Sequence, residues 1–387
     1  MFTKQKFAFL FFIQTILFVY NSYSQHKMMY DVNWRVIASL PVSVSGSFCG
    51  VSNGMLIVAG GSNFPDAKPW QGGKKKYWNK IYVIDIKNNY QLLSVQDTLE
   101  KNIAYGACVS TANGMVCMGG ENESGVLNDV FLLRWNLKTK KIEKEKLPSL
   151  PIALTSSSAC TYQSKIFLVG GDNGKESSNS FFELDVNAVN KCWQQLQALP
   201  VSLSFPISAV SSHAENTNVV VIGGRYKKQN ELTQLYNSVY AYNSSLKKWE
   251  EKKNICNTDF DSSHLSAGNI VSLNYENIIV IGGDDGKTFS KIEKFNMLIS
   301  QATDETKKAE LVAQKMELIN NHKGFSKKVW LYNIHTQQCL PLSDLPFSPV
   351  TTNAVKWNDE IFIAGGEIKP GERTNLVLCG KITRKHL

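Results

Sequence analysis

A ten-residue stretch near the C-terminus, Gly365-Gly366-Glu367-Ile368-Lys369-Pro370-Gly371-Glu372-Arg373-Thr374, places a carboxylate and a guanidinium on either side of a turn signal. Proline presets the first turn position and glycine accepts the positive φ that follows, so Pro370-Gly371 is expected to fold Glu367 and Arg373 toward one cavity. Two readings fit the pair from pattern alone: a salt bridge that braces the loop, or a general base/acid beside a guanidinium whose fork suits a carboxylate ligand. Asn63, Tyr105, Glu121 and Arg225 are further candidates for contacting a ligand, because each follows a Gly-Gly pair or lies on a strand expected to face the same side. Structural hydrogen bonding is the alternative at each.

The elements that must carry these residues are repeats. An apolar strand ending in Gly-Gly occurs six times, as Leu56-Ile57-Val58-Ala59-Gly60-Gly61 and again before Gly119, Gly170, Gly223, Gly282 and Gly365, at spacings of 59, 51, 53, 59 and 83 residues. About ten residues before each pair lies a small-residue strand, and Asn53-Gly54 and Asn113-Gly114 between the two strands favour tight hairpins. After the pair comes an aromatic, alternating strand such as Val239-Tyr240-Ala241-Tyr242, then a fourth that often carries Trp and ends in Leu-Pro. Four strands with this punctuation make a propeller blade, and the pattern resembles the kelch repeat. The expected fold is all-β: one six-bladed propeller over 25–387.

The last copy holds only three strands, and the missing fourth appears at the other end of the chain as Trp34-Arg35-Val36-Ile37. Pairing the two ends would close the ring and remove its open edge. Strand direction then places every excursion after Gly-Gly on one face, namely 62–79, 225–234, 284–328 and 367–373, and loops over a rigid ring are where a site belongs. The third excursion, with a helical stretch near 303–319 inside an insertion at about 286–325, accounts for the longest spacing. The Gly pairs themselves read as close packing where the strand leaves the crowded channel.

A composition of 43 % hydrophobic and 19 % charged residues is that of a globular chain and excludes a disordered one. Residues 1–24 carry the marks of a secretory signal: Lys4 and Lys6, an apolar run from Phe7 to Tyr20, and Ser22-Tyr23-Ser24 as a small-x-small cleavage site. That run is too short for a helix spanning a bilayer, so the chain is expected to be exported, periplasmic or secreted, without membrane insertion. Loss of Lys4 and Lys6 takes the net charge from +9 to +7, and the scattered basic residues make no nucleic-acid stripe. The six His are dispersed without metal-ligand spacing, which argues against a metal site and against copper-oxidase chemistry. Cys49, Cys108 and Cys160 read as equivalent buried positions on the innermost strands. With Asn113-Gly114 as the turn, Ser110 opposes Cys117, so few or no disulfides are expected.

Over the whole exported chain the sequence resembles the sialate mutarotases (N-acetylneuraminate epimerases), in particular cyclically permuted relatives. The resemblance rests on the Glu367–Arg373 loop, on Gly60-Gly61-Ser62-Asn63-Phe64-Pro65 with its Gly/Lys-rich continuation to Tyr77, on Ala104-Tyr105-Gly106 leading to Gly119-Gly120-Glu121, and on the helical insertion one blade before the Glu–Arg loop. It implies interconversion of the α and β anomers of N-acetylneuraminate, a small sugar acid, by ring opening and closure. Glu367 would be the general base/acid and Arg373 the holder of the sugar carboxylate, with no cofactor required. Asp284-Asp285-Gly286-Lys287-Thr288-Phe289 is similar to the core of a sialidase Asp-box, but it occurs once, lacks its Ser and follows the wrong strand. The rival reading is a propeller that binds carbohydrate or protein without catalysis.

Overall fold

A computed structural model describes residues 28–94, 97–213, 216–229, 231–255 and 264–386; the expected signal segment, 1–24, lies outside them. Among the described residues six antiparallel sheets of four main strands form the blades of a propeller. Blade 1 runs outward from Phe48–Ser52 through Met55–Ala59 and Lys80–Asp85 to Gln91–Leu92. The innermost strands of blades 2 to 6 are Ala107–Thr111, Ser158–Tyr162, Ile207–His213, Asn269–Ser272 and Ala354–Trp357. Met28–Ser39 pairs antiparallel with Leu376–His386 as the outer strand of blade 6, so the two ends of the chain close the ring as expected.

The core lies in the seams between blades. Six apolar clusters occur among the described residues, one at each seam. In Met55–Ala59, Leu56 and Val58 face blade 6 while Ile57 and Ala59 face blade 2. A strand covered on both faces needs no polar side, which is why the run before each Gly pair is continuously apolar. The Gly pair ends that run by approaching the next blade. At Gly365, where φ is +65°, an added Cβ would lie 2.5 Å from the Val44 carbonyl oxygen, a contact only glycine permits.

Three sequence expectations are corrected. The second hairpin turns at Ala112-Asn113 rather than Asn113-Gly114, since Gly114 pairs with Thr111, and Cys108 rather than Ser110 therefore opposes Cys117. Cys49 and Cys108 pair with the residue two before their Gly pair, whereas Cys160 pairs with Phe167, three before, and so points to the other face. The insertion holds two helices, α1 (Lys287–Gln301) and α2 (Glu305–Asn320); only the second was legible in the sequence. Cys339 is disulfide-bonded. Cys49, Cys108, Cys117, Cys160, Cys192 and Cys379 are free; burial pushes the Cys108 and Cys160 thiols up to about 12, so they stay protonated and inert.

Candidate active site

The floor of the site is a closed circle of backbone. Gly46, Tyr105, Ser156, Phe205, Ala267 and Thr351 occupy one equivalent position in each blade, all with φ between +51° and +68°. Each amide donates to the carbonyl of its counterpart in the neighbouring blade, Gly46 to Thr351, Thr351 to Ala267, Ala267 to Phe205, Phe205 to Ser156, Ser156 to Tyr105 and Tyr105 to Gly46, at 2.7 to 3.0 Å. Five of these residues are not glycine, and left-handed backbone is costly for them. The closed hydrogen-bonded circle is what holds the conformation.

Directly before each of these residues a bridge pairs the chain with the residue that follows the Gly pair. The ring therefore presents six equivalent side chains, in blade order Ser62, Glu121, Asp172, Arg225, Asp284 and Glu367. All but Ser62 line one cavity of about 650 Å³ above the floor, together with Tyr105, Phe289, His322 and others. That volume suits a monosaccharide-sized ligand.

In blades 4 to 6 the charged groups are buried and incompletely paired. Glu367 sits opposite Arg373 in a short ribbon turned by Pro370-Gly371. Its Oε2 lies 3.4 Å from Arg373 Nη2, and its Oε1 accepts from the Gly371 amide at 2.7 Å. The Glu367 carboxyl is nonetheless raised above its ordinary value, because burial outweighs the Arg373 cation and the Gly371 amide, and nearby Asp284 adds to the rise. Arg373 is only 6 % exposed. It packs over the Phe64 ring at 4.7 Å and donates from Nε to Ser45 Oγ at 3.2 Å, while its Nη1 is buried without a partner. Arg373 lies behind Glu367 and does not itself line the cavity.

Arg225 does. Its guanidinium is sandwiched between Phe205 and Phe289, with Cζ 4.7 and 4.5 Å from the ring centres. Its Nε is buried and unpartnered, and among the described residues the group makes no ion pair. Burial pulls it below the ordinary guanidinium value, opposed by Asp284, Glu367 and Glu293. The insertion supplies Phe289 and is clamped to blade 4 by Glu293, whose carboxylate accepts from Thr233 N at 2.8 Å and Thr233 Oγ1 at 2.6 Å.

Blades 1 and 2 differ. Glu121 accepts from Tyr77 Oη at 2.7 Å and from Lys75 Nζ at 3.2 Å. Tyr105 lines the cavity, with its hydroxyl tied to Ser45 and Ser62. Asn63 is not in the lining: its amide bridges the Ser43 carbonyl, at 3.0 Å, and Trp78 Nε1, at 2.9 Å.

The comparisons with known proteins bear on this geometry. The sequence profile of the N-acetylneuraminate epimerase family matches residues 147–387, which include Arg225, Glu367 and Arg373. The chain belongs to that family. It is similar to the N-acetylneuraminate epimerase of Vibrio cholerae serotype O1, at 30 % identity over 136 residues covering 30 % of this chain and 34 % of that protein. It is also similar to that of Salmonella arizonae, at 24 % identity over 234 residues covering 60 % and 57 %. The chain thus spans about a third to three-fifths of the length of these curated relatives. The solved structure of YjhT superposes with a TM-score of 0.59 over 91 % of this chain and 100 % of that one, at 15 % identity, which supports the propeller fold.

Within this member of the N-acetylneuraminate epimerase family, sequence reasoning missed Asp172 and Asp284. The signal was available: both directly follow a Gly pair, as Glu121, Arg225 and Glu367 do. Asp284 was hidden by its likeness to an Asp-box.

Proposed function

We infer that the protein is a sialic acid mutarotase, interconverting the α and β anomers of N-acetylneuraminate, and that it acts after export. The observation that carries this reading is Glu367: a buried carboxyl with raised proton affinity, held by Arg373 and the Gly371 amide at the wall of a sugar-sized cavity. Ring opening removes the proton of the anomeric hydroxyl, and a carboxyl raised above its ordinary range is a stronger base for that exchange than an ordinary one. One positioned proton-transfer group supplies about 10²–10⁴-fold, enough for a reaction that proceeds readily by itself.

Arg373 is a positioning residue in this account, its guanidinium engaged with Glu367, Ser45 and Phe64. The anchor for the sugar carboxylate passes to Arg225, which opens on the cavity and makes no ion pair among the described residues. A guanidinium flattened between two rings keeps its edge donors for a bidentate carboxylate.

Proton NMR of freshly released α-N-acetylneuraminate tests the reading. The protein is expected to speed the decay of the α signal and leave the final anomer ratio unchanged. An unchanged decay with the sugar bound would instead favour the non-catalytic binding propeller.

A further inference from the structure

Opening a sugar ring moves two protons. One leaves the anomeric hydroxyl as its oxygen becomes a carbonyl; another reaches the ring oxygen as the bond to the anomeric carbon breaks and the electron pair moves onto that oxygen. Glu367 accounts for one of these. The structure contains a second carboxyl in an equivalent place. Asp284 follows its Gly pair as Glu367 follows its own, pairs by a bridge to Ser266 as Glu367 does to Val350, and occupies the adjacent blade. Both line the same cavity, and Asp284 stands between Arg225 and Glu367 in the order of the ring.

Its surroundings fix the carboxyl without consuming it. Asp284 is 8 % exposed. Oδ1 accepts from the Gly286 amide at 2.9 Å, while no hydrogen bond among the described residues engages Oδ2. The Gly286 contact belongs to the turn that starts α1, so the insertion both orients Asp284 and covers it.

We propose that Asp284 is the second proton-transfer residue, exchanging a proton with the ring oxygen while Glu367 exchanges one with the anomeric hydroxyl. On opening, Glu367 takes the hydroxyl proton and Asp284 gives its proton to the ring oxygen. The chain then rotates about the neighbouring carbon–carbon bond. On closure against the other face of the carbonyl, Asp284 takes back the proton of the attacking hydroxyl and Glu367 returns its own to the new anomeric oxygen. Both carboxyls end as they began, and no further reactant is needed. Burial raises the Asp284 carboxyl above its ordinary value, opposed by Arg225, the Gly286 amide and His322 and reinforced by Asp285. His322 accepts the Gly324 amide on Nδ1 at 3.0 Å, and burial lowers its proton affinity; it is the neighbouring titratable ring that the test separates from Asp284.

The inference rests on the mutarotase reading, and the test separates the two. Anomer exchange is followed by NMR for wild type, Asp284→Asn and His322→Gln across pH 4 to 9, with circular dichroism as the folding control. Asparagine keeps the Oδ1 acceptor for Gly286 and the side-chain shape, and replaces the carboxyl by an amide that exchanges no proton in this range. The expected result is a loss of about 10²-fold or more in kcat for Asp284→Asn with KM within about threefold, disappearance of the alkaline limb of the pH profile, and His322→Gln retaining that limb. Wild-type catalysis with an unaltered Asp284→Asn rate and profile overturns the proposal and leaves the mutarotase reading standing. Loss of the alkaline limb in His322→Gln instead moves the acid to His322 and overturns it too. An inactive wild type overturns both.

Discussion

Blades 1 to 3 and blades 4 to 6 share six equivalent backbone positions, five of whose side chains line one cavity, yet the two halves differ in what surrounds those side chains. On the first side Ser62 donates to Tyr105 and Glu121 accepts from Tyr77 and Lys75; Asp172 accepts the Gly174 amide as Asp284 accepts that of Gly286, so the contrast lies at the other positions. On the second, Arg225 is stacked between two rings with its Nε unbonded and no ion pair among the described residues, and Glu367 is held by a cation set behind it. The excursions explain the contrast. The ribbon Ser62–Asn63 with Lys76–Tyr77 brings polar partners to blade 2, whereas the insertion lays Phe289 over Arg225. Equivalent backbone positions thus carry a carboxylate bonded to Tyr77 and Lys75 on one side, and on the other a guanidinium stacked between rings beside an arginine-held carboxyl. A buried charge left partly unpaired is costly to stability; under the proposed function the ligand completes the pairing on this half.

The largest effect after those of the two carboxyls proposed to transfer protons is expected at Arg225. Arg225→Met should weaken binding of N-acetylneuraminate about 10–100-fold, in line with loss of a charge-assisted hydrogen bond of about 1.5–3 kcal/mol. Thermal stability should hold or rise, because a desolvated cation with no ion pair among the described residues has been replaced by apolar volume. Calorimetric titration beside a thermal melt checks both; a destabilised variant with wild-type affinity would make Arg225 part of the scaffold and erase the contrast.

A smaller effect separates Arg373 from Arg225. The Glu367 carboxyl is raised above its ordinary 4.5 by burial, against the Arg373 cation. Activity that needs Glu367 ionised should therefore fall on the acid side at an inflection above 4.5, not below it. Arg373→Gln removes the cation that favours the ionised form, so the inflection should move further up in pH, with KM changing less than in Arg225→Met. A pH–rate profile reads this directly, and a shift toward lower pH would contradict it. The smallest effect belongs to Asn63. Asn63→Ala frees Trp78 Nε1 and should lower stability by about 1–2 kcal/mol, measured by denaturant unfolding, with kcat near wild type.

Much of this was legible in the sequence because the repeat is enforced by packing. The six apolar runs ending in Gly-Gly mark strands covered on both faces and the close approach that ends them, so blade number and ring closure followed from spacing. The pairing of Glu367 with Arg373 followed from Pro370-Gly371. The floor of the site was not legible: Gly46, Tyr105, Ser156, Phe205, Ala267 and Thr351 share a backbone conformation and nothing in side-chain type. The position of Arg373 behind Glu367 depends on Phe64 and Ser45, from the other end of the chain. The register of Cys108 was misread because two hairpins with the same Asn-Gly pair turn one residue apart.

The contrast between the two halves is tested most directly by one set of rates: anomer exchange of N-acetylneuraminate, followed by proton NMR, for wild type, Glu367→Gln and Glu121→Gln. The two carboxylates occupy equivalent positions, and each is replaced by its neutral amide of nearly the same shape. Acceleration by wild type, a loss of about 10²–10⁴-fold in Glu367→Gln, and a rate within a few-fold of wild type in Glu121→Gln are the predicted results. A Glu367→Gln variant that folds and retains the wild-type rate, or a Glu121→Gln variant that loses as much as Glu367→Gln, would contradict the account.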